Sequence, residues 1–285
     1  MLQVARLSPK LLGASAELVR AFILRQQNED GGFKDRSGTS DLYYTVFGLE
    51  GLIALQTELP VRQAEKYLQS YGTGAGLDFV HLCCLARCWA ALPGASPAST
   101  REAILEKIET YRTADGGYHP TEGNPFGSAY GCFLAAGAYQ DLKARLPSGI
   151  AECLNSLETA DGAWANERSI KLGSTNATAA AITLLRQFSA PVQSRAGDWL
   201  LARFHSQGGF LAAPNSPIPD LLSTATALHA LAGIQREVSS LKEQCLDFID
   251  SLWTNEGAFH GHWGDDTVDC EYTYYGLLAL GHLSV

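Results

Sequence analysis

With 285 residues, 46% of them hydrophobic, the chain is long enough to bury one large core without disulfides or metal. Its formal charge of -9, from 21 basic and 30 acidic residues, comes without any run of Lys and Arg interleaved with aromatics, which argues against nucleic acid as a partner. No apolar stretch approaches the roughly 20 residues of a membrane-spanning helix, so no span is expected.

Met1 to Ala14 carries only Arg6 and Lys10, and has neither an uninterrupted apolar core nor a small-residue cleavage site, so the sequence reads as cytoplasmic. The seven cysteines, Cys83, Cys84, Cys88, Cys132, Cys153, Cys245 and Cys270, fall in helical segments without paired spacing and read as reduced packing residues.

A short phrase recurs along the chain. It reads NEDGGF at Asn28 to Phe33, GTGAGL in degenerate form at Gly72 to Leu77, TADGGY at Thr113 to Tyr118, TADGAW at Thr159 to Trp164, HSQGGF at His205 to Phe210 and TNEGAF at Thr254 to Phe259. The spacing between copies is roughly 40 to 50 residues, the signature of stacked supersecondary units. An amphipathic segment precedes each phrase: Glu17 to Gln27, Arg62 to Tyr71, Arg101 to Tyr111, Ile150 to Glu158, Gln193 to Phe204 and Leu241 to Trp253. In the third, Ile104, Leu105, Ile108 and Tyr111 form one apolar stripe opposite Glu102, Lys107 and Glu109. The glycine pair is expected to end each of these helices by taking the left-handed C′ conformation.

After each phrase comes a helix that is apolar nearly all round: Asp41 to Leu55, Asp78 to Leu92, Phe126 to Tyr139, Thr175 to Phe188, Asp220 to Ile234 and Asp269 to Leu283. Such helices must be buried. Six hairpins alternating half-wet and buried helices satisfy this by closing into an all-α ring with the buried set inside, an α6/α6 toroid. An open solenoid would need polar terminal caps, which the apolar last segment does not supply. No Pro-, Ser- or Gly-rich linker divides the sequence, so residues 1–285 are expected to form a single toroid domain.

The phrase Gln26-Gln27-Asn28-Glu29-Asp30-Gly31-Gly32-Phe33, followed by a buried helix containing Tyr44-Thr45, resembles the prenyltransferase and squalene cyclase repeat, and above all the β subunits of protein prenyltransferases. The resemblance covers essentially the whole chain. It implies a toroid that holds a lipid diphosphate and a zinc ion activating an acceptor thiolate, with an α-like subunit as a partner. The family's zinc ligands are an Asp and a Cys at the start of the fifth inner helix and a His in the last. Here the first stretch reads Pro219-Asp220-Leu221-Leu222-Ser223-Thr224 and the second Asp269-Cys270-Glu271-Tyr272-Thr273, so Leu222 and Tyr272 replace two of three ligands. The family's diphosphate-binding turn corresponds to residues 212–218, which carry no base.

Inner segments begin with Asp41, Asp78, Asp220 and Asp269, with Asn124 and Ser174 in the matching places, so a ring of polar groups gathers at one mouth. As N-caps these residues satisfy free helix N–H groups. As facing carboxylates, some would have raised pKa values, as an acid that generates carbocations requires. No DxDD motif of the squalene and class II diterpene cyclases occurs. Asp265-Asp266-Thr267-Val268-Asp269 matches DDxxD, but in a loop, where a solvated turn with an N-cap is the better reading. His81, Cys84 and Cys88 share a face of the second inner helix and read as packing, with a relocated metal site as the alternative.

The leading expectation is an isoprenoid-handling enzyme of the prenyltransferase and terpene cyclase superfamily that takes a prenyl or other apolar molecule into the ring without zinc-thiolate chemistry. Asp220, Asp269, Tyr272 and Asp41 are the candidate catalytic groups at the mouth. Tyr44, Phe47, Tyr130, Phe133 and Tyr275 are candidate substrate-binding aromatics, whose faces suit an isoprenoid or a cation. No metal ligand and no cofactor is assigned. One alternative is a non-catalytic lipid-binding or protein-interaction toroid. The other keeps zinc, held by Asp220, Asp269 and an unaligned donor such as His81 or His262.

Overall fold

The computed structural model describes residues 1–94 and 97–285. Two short helices, α1 (Leu2–Ala5) and α2 (Pro9–Leu12), precede α3 (Ser15–Arg25). There follow β1 (Phe33–Lys34), β2 (Ser40–Asp41), α4 (Leu42–Ala54), α5 (Val61–Gln69), α6 (Phe79–Ala91), α7 (Ala98–Glu109), α8 (Ala129–Asp141), α9 (Ile150–Asn155), α10 (Thr175–Gln187), α11 (Ser194–Leu201) and α12 (Leu221–Gly233). A single 3-10 turn leads into α13 (Lys242–Ser251), β3 (Trp253–Thr254), β4 (Ala258–Phe259) and α14 (Cys270–Leu283).

The inner ring closes. Helix α4 packs on α6, α6 on α8, α8 on α10, α10 on α12, α12 on α14 and α14 back on α4. The amphipathic helices α3, α5, α7, α9, α11 and α13 lie outside, each against an inner neighbour. This is the α/α toroid expected from the buried segments, because an inner helix that is apolar on nearly every side has no surface to give to water. Short strand pairs, β1 with β2 and β3 with β4, add the only strands among the described residues. Helices α1 and α2, which no repeat marks in the sequence, pack against α14, where a Cβ on Gly281 would lie 2.2 Å from the Val4 carbonyl oxygen.

The glycines of the repeated phrase do not end the outer helices. Those helices stop earlier on right-handed caps such as Gln26, Thr110 and Leu252. The phrase instead folds as a tight reverse turn, with Gln27 bridged to Phe33, Arg112 to Tyr118, Glu158 to Trp164, Phe204 to Phe210 and Trp253 to Phe259. The left-handed glycine at the tip meets the next outer helix: Gly31 meets Gln63 of α5, Gly208 meets Gln244 of α13, and the last, Gly257, meets Leu18 of the first outer helix α3. The turns therefore gear the outer layer together and close it on itself. Left-handed residues do end inner helices, but as Gln56, Lys143, Ser189 and Gln235, with back-bonds such as Thr57 N–H to Leu52 and Ala144 N–H to Tyr139.

In three of the repeats the aromatic closing the turn is tied to the inner helix that follows. The backbone N–H groups of Phe33, Trp164 and Phe210 donate to the hydroxyls of Thr45, Thr178 and Thr224 at about the same 3.0 Å. Thr45 in turn donates to the Asp41 carbonyl. In these three repeats the threonine thus fixes the turn to its inner helix and so sets where the neighbouring mouth residues stand.

Candidate active site in the lumen

Six N-caps mark one mouth of the ring: Asp41, Asp78, Ser128, Ser174, Asp220 and Asp269, each with a side chain that accepts a backbone N–H from the first turn of its helix. The third is Ser128, not Asn124, and α8 begins at Ala129 rather than Phe126. Asn124 instead caps a loop turn by accepting from Phe126 N, while Ser128 accepts from Gly131 N.

Position relative to these caps resolves the lumen into layers. The second residue of each inner helix gives Tyr43, Val80, Tyr130, Asn176, Leu222 and Glu271. The sixth gives Phe47, Cys84, Leu134, Ala180, Thr226 and Tyr275, and the ninth Glu50, Arg87, Gly137, Thr183, His229 and Leu278. This spacing is one face of a helix. Contacts between helices obey it: Tyr43 donates to Glu271 Oε1 at 2.6 Å, Thr226 donates to Asn176, the rings of Phe47 and Tyr275 are 5.5 Å apart, and Arg87 pairs with Glu50.

Glu271 has the chemistry of an acid. Burial pushes its carboxyl up to about 7, aided by the charge of Asp269 and opposed by the hydrogen bond from Tyr43 and by Arg36. Tyr130, on the far side of the ring, is near enough to feel Glu271 and Arg87, and is 40% exposed. Tyr43, Tyr130, Phe47 and Tyr275 thus gather around one carboxyl.

The candidate aspartates are fixed otherwise. Asp269, 3% exposed, accepts Tyr272 N–H at 2.8 Å and Arg36 Nε at 2.7 Å. Arg36 also pairs with Asp265 at 2.9 Å and stacks 5.4 Å over Tyr272. Burial would raise the Asp265 carboxyl, but hydrogen bonds from Thr267 and Arg36 take it down to about 2. That ion pair occupies two aspartates of the DDxxD-like run. Asp41 caps α4 and holds His81 Nε2 at 3.0 Å, while His81 Nδ1 meets Asp78 at 2.8 Å. The Asp41 hydrogen bond, against burial, raises His81 to about 9, so this bridge between α4 and α6 is an imidazolium between carboxylates. Asp220 accepts both the N–H and the hydroxyl of Ser223 at 2.7 Å, and burial moves its carboxyl up from the usual range.

The family's zinc does not fit these residues. Leu222 faces the lumen where a thiolate would be needed, and Tyr272 stands beside Asp220 where an imidazole would be needed. His81 is committed to Asp41 and Asp78, away from Asp220 and Asp269. Cys84, pushed up to about 12 by burial, is no thiolate donor. Among the described residues no three His, Cys, Asp or Glu side chains gather as a metal set.

Of the candidate aromatics, Phe47, Tyr130 and Tyr275 face the lumen, Phe133 lies between Tyr130 and Gly137 along α8, and Tyr44 stands at the mouth near Asp269. Glu271, Glu50 and Arg87 join them without a motif to announce them. Their signal in the sequence is a charge inside an otherwise apolar helix, at the same count from its cap as a polar or aromatic residue on the neighbouring helices.

The prenyltransferase alpha-alpha toroid domain model matches residues 7–74 and 171–284, more than half of the chain. No curated protein matches the sequence. Among solved structures, the type II terpene cyclase MstE from Scytonema is similar over 100% of this chain and 98% of its own, with 15% identity and a TM-score of 0.67. Candida albicans protein geranylgeranyltransferase-I, complexed with GGPP, is similar over 99% of this chain and 81% of its own, with 16% identity and a TM-score of 0.55. An alpha-1,6-mannanase of Salegentibacter, in complex with alpha-1,6-mannotriose, reaches a TM-score of 0.65 at 14% identity over 95% of this chain and 98% of its own. At such identities the likeness is one of fold, which hosts unrelated chemistries. Among the described residues no helix is long and apolar enough to cross a membrane. On the matched residues and the closed ring of inner helices, the chain belongs to the prenyltransferase alpha-alpha toroid family.

Proposed function

We propose that this toroid, acting as one unit over residues 1–285, is an isoprenoid-handling enzyme that starts reaction by protonating a prenyl double bond in the lumen, with Glu271 as the acid. The observation that carries the proposal is the buried Glu271 carboxyl, raised to about 7, bonded by Tyr43 and ringed by aromatics. A solved type II terpene cyclase of the same fold is described with geranylgeranyl dihydroxybenzoate as substrate, which supports a prenyl chain as the class of molecule.

In the reaction, the π electrons of the double bond take the Glu271 proton. A C–H bond forms at one carbon and the positive charge develops at its neighbour. Tyr43, still donating to Oε1, stabilises the carboxylate left behind, while the faces of Phe47, Tyr130 and Tyr275 stabilise the cation. Loss of a proton from the rearranged chain, or capture of water, discharges the cation. Solvent at the mouth then returns a proton to Glu271. Asp220, Asp269, Tyr272 and Asp41 frame the entrance and orient what enters, with Asp220, raised by burial, the one of these suited to a proton-bearing role.

Incubation of purified protein with geranylgeraniol and related prenyl compounds in deuterium oxide tests this. The expected product is an isomeric, cyclised molecule carrying one new deuterium, absent with Glu271→Gln. A Glu271→Gln variant that turns over as fast as the parent would falsify the assignment. A non-catalytic toroid is favoured by one observation, the commitment of Asp41 and Asp269 to caps and ion pairs. It would be recognised by tight prenyl binding with no turnover of any compound.

A further inference from the structure

All seven cysteines are free thiols buried in the fold. Cys88 aims its Sγ at the Leu42 carbonyl, 3.8 Å away, as a packing thiol does. Cys132 and Cys153 instead aim their sulfurs at each other across 3.8 Å. Cys132 stands in the first turn of the inner helix α8, and Cys153 on the outer helix α9, 21 residues further along the chain. Their contact joins the third hairpin to the fourth.

The surrounding chain leaves room for the two sulfurs and little else. A Cβ on Gly117 would lie 2.4 Å from Cys153 Sγ and 3.1 Å from Cys132 Sγ, and one on Gly127 would lie 2.6 Å from Cys153 Sγ. Gly117 has no left-handed φ to require it, so the space taken by the thiols is what excludes a side chain there. The two thiols share a hydrogen bond, which lowers the Cys132 thiol from its ordinary range, against burial, and raises that of Cys153. The backbone N–H of Tyr118 and the N-terminal end of α8 act on Cys132 in the same sense. The Asp115 carboxylate opposes them, and is itself paired with Arg168 at 3.1 Å. A sulfur nucleophile and a proton-bearing partner are therefore already in contact.

We propose that Cys132 and Cys153 form a redox modification site, at which a small hydroperoxide converts the two thiols into a disulfide that staples the third hairpin to the fourth. The inference is independent of the isoprenoid reading. The Cys132 thiolate attacks one peroxide oxygen; the S–O bond forms, the O–O bond breaks, and the departing oxygen takes the proton that Cys132 gave up and leaves as water. The Cys153 sulfur then attacks the sulfenic sulfur of Cys132. The S–S bond forms, the S–O bond breaks, and the hydroxide leaves as water with the Cys153 proton. Both sulfurs have lost one electron to the peroxide, which is reduced to two waters. For this the sulfurs close from 3.8 Å to the roughly 2.05 Å of a disulfide. Both residues are wholly buried, so oxidation waits on local opening of α9, a helix of six residues whose C-cap Ser156 accepts from Arg168 at 2.9 Å. Reclosure of α9 returns Cys153 to Cys132 and completes the bond.

The test treats the reduced protein with hydrogen peroxide, removes the peroxide with catalase, and counts thiols after unfolding in an alkylating agent. The count should fall by two from seven, and peptide mapping should join Cys132 to Cys153. The melting temperature should rise by about 3–8 °C and return to its starting value with dithiothreitol. Cys132→Ala and Cys153→Ala should each abolish the paired loss, while Cys245→Ala leaves it unchanged, with circular dichroism checking that each variant folds. Should either Ala variant fail to fold, mapping of the parent protein decides the pairing by itself. A folded parent that keeps seven thiols, that joins other cysteines, or that accumulates sulfinic or sulfonic acids at Cys132 overturns the proposal. So does a mapped disulfide that leaves the melting temperature unchanged or lowers it, since the bond would then staple nothing.

Discussion

The hydroxyl of Tyr43 donates to the carboxyl of Glu271 across the seam where the first inner helix meets the last, two residues separated by 228 positions in the chain. That bond joins ring closure to chemistry, because the same contact that ties α4 to α14 also holds an acid against the aromatic face of the lumen. Its consequence for pH dependence follows from the raised carboxyl. Activity should fall as pH rises through about 7, since the proton-bearing form is lost there. Stability should move in a related way. In the unfolded chain a glutamate ionises near its ordinary 4.5, so between there and about 7 the folded state resists an ionisation that the unfolded state accepts. Glu271→Gln should therefore match the parent in melting temperature near pH 4 and exceed it increasingly up to about pH 7, with no further change above. A constant offset across that range would contradict the burial of this carboxyl.

His81 behaves with the opposite sign. Its folded value of about 9, above the ordinary 6.5, means that the Asp41 and Asp78 contacts stabilise the fold fully at low pH and lose that contribution as pH rises through about 9. The ring is about a third exposed, so solvent screening holds the effect to about 1 kcal/mol. His81→Gln should melt a few degrees below the parent at about pH 6 and close to it at about pH 10. Equal destabilisation at both values would show that His81 acts by packing rather than by charge.

Arg36 reaches from the turn between β1 and β2 to Asp265 and Asp269, just before the last helix, and stacks on Tyr272. Removing it leaves Asp269, almost wholly buried, without its cation. Arg36→Ala should cost about 1–2 kcal/mol, because an unpaired buried carboxylate is penalised more than the pair is rewarded. Asp269→Asn in that background should restore part of the loss while keeping a polar cap on α14. Denaturant unfolding of the two single variants and the double variant measures the coupling, and strict additivity would show that the pair is not an interacting unit.

The ring is legible in the sequence because burial is written into composition: a helix apolar on all sides, such as residues 221–233, has only one place to go. The repeated phrase marks where each inner helix starts, yet its glycines suggest helix ends where the structure has turns. A left-handed glycine serves a helix C′ position and a tight turn equally well, and only the bridge from Gln27 to Phe33 tells them apart. The site is less legible. Glu271 is a lone carboxylate whose partner is distant in the chain, and its raised pKa comes from burial that sequence does not display. A third cap at Asn124, four residues early, also puts α8 out of step with its neighbours. Once the caps are aligned on Ser128, Tyr130 falls level with Tyr43 and Glu271, and Gly137 level with Glu50 and Arg87.

The turn glycines give a direct test of how the outer layer closes. Gly257 has φ of +87°, and a Cβ there would stand 2.3 Å from the Leu18 carbonyl of α3, so an alanine meets both backbone strain and a clash with main chain that cannot move aside. Gly38, with φ of +88°, has nothing within 4 Å of its Cβ position among the described residues, so alanine there meets strain alone. Gly257→Ala should therefore cost about 2–4 kcal/mol and Gly38→Ala about 1 kcal/mol, the difference being the contact that joins the last turn to the first outer helix. Hydrogen exchange should locate the effect: Gly257→Ala should speed exchange in α3 and α13 together, on both sides of the seam, while Gly38→Ala leaves both unchanged. Loss of protection confined to α13 would mean that the last turn does not hold α3, and that the outer layer closes through the inner ring alone.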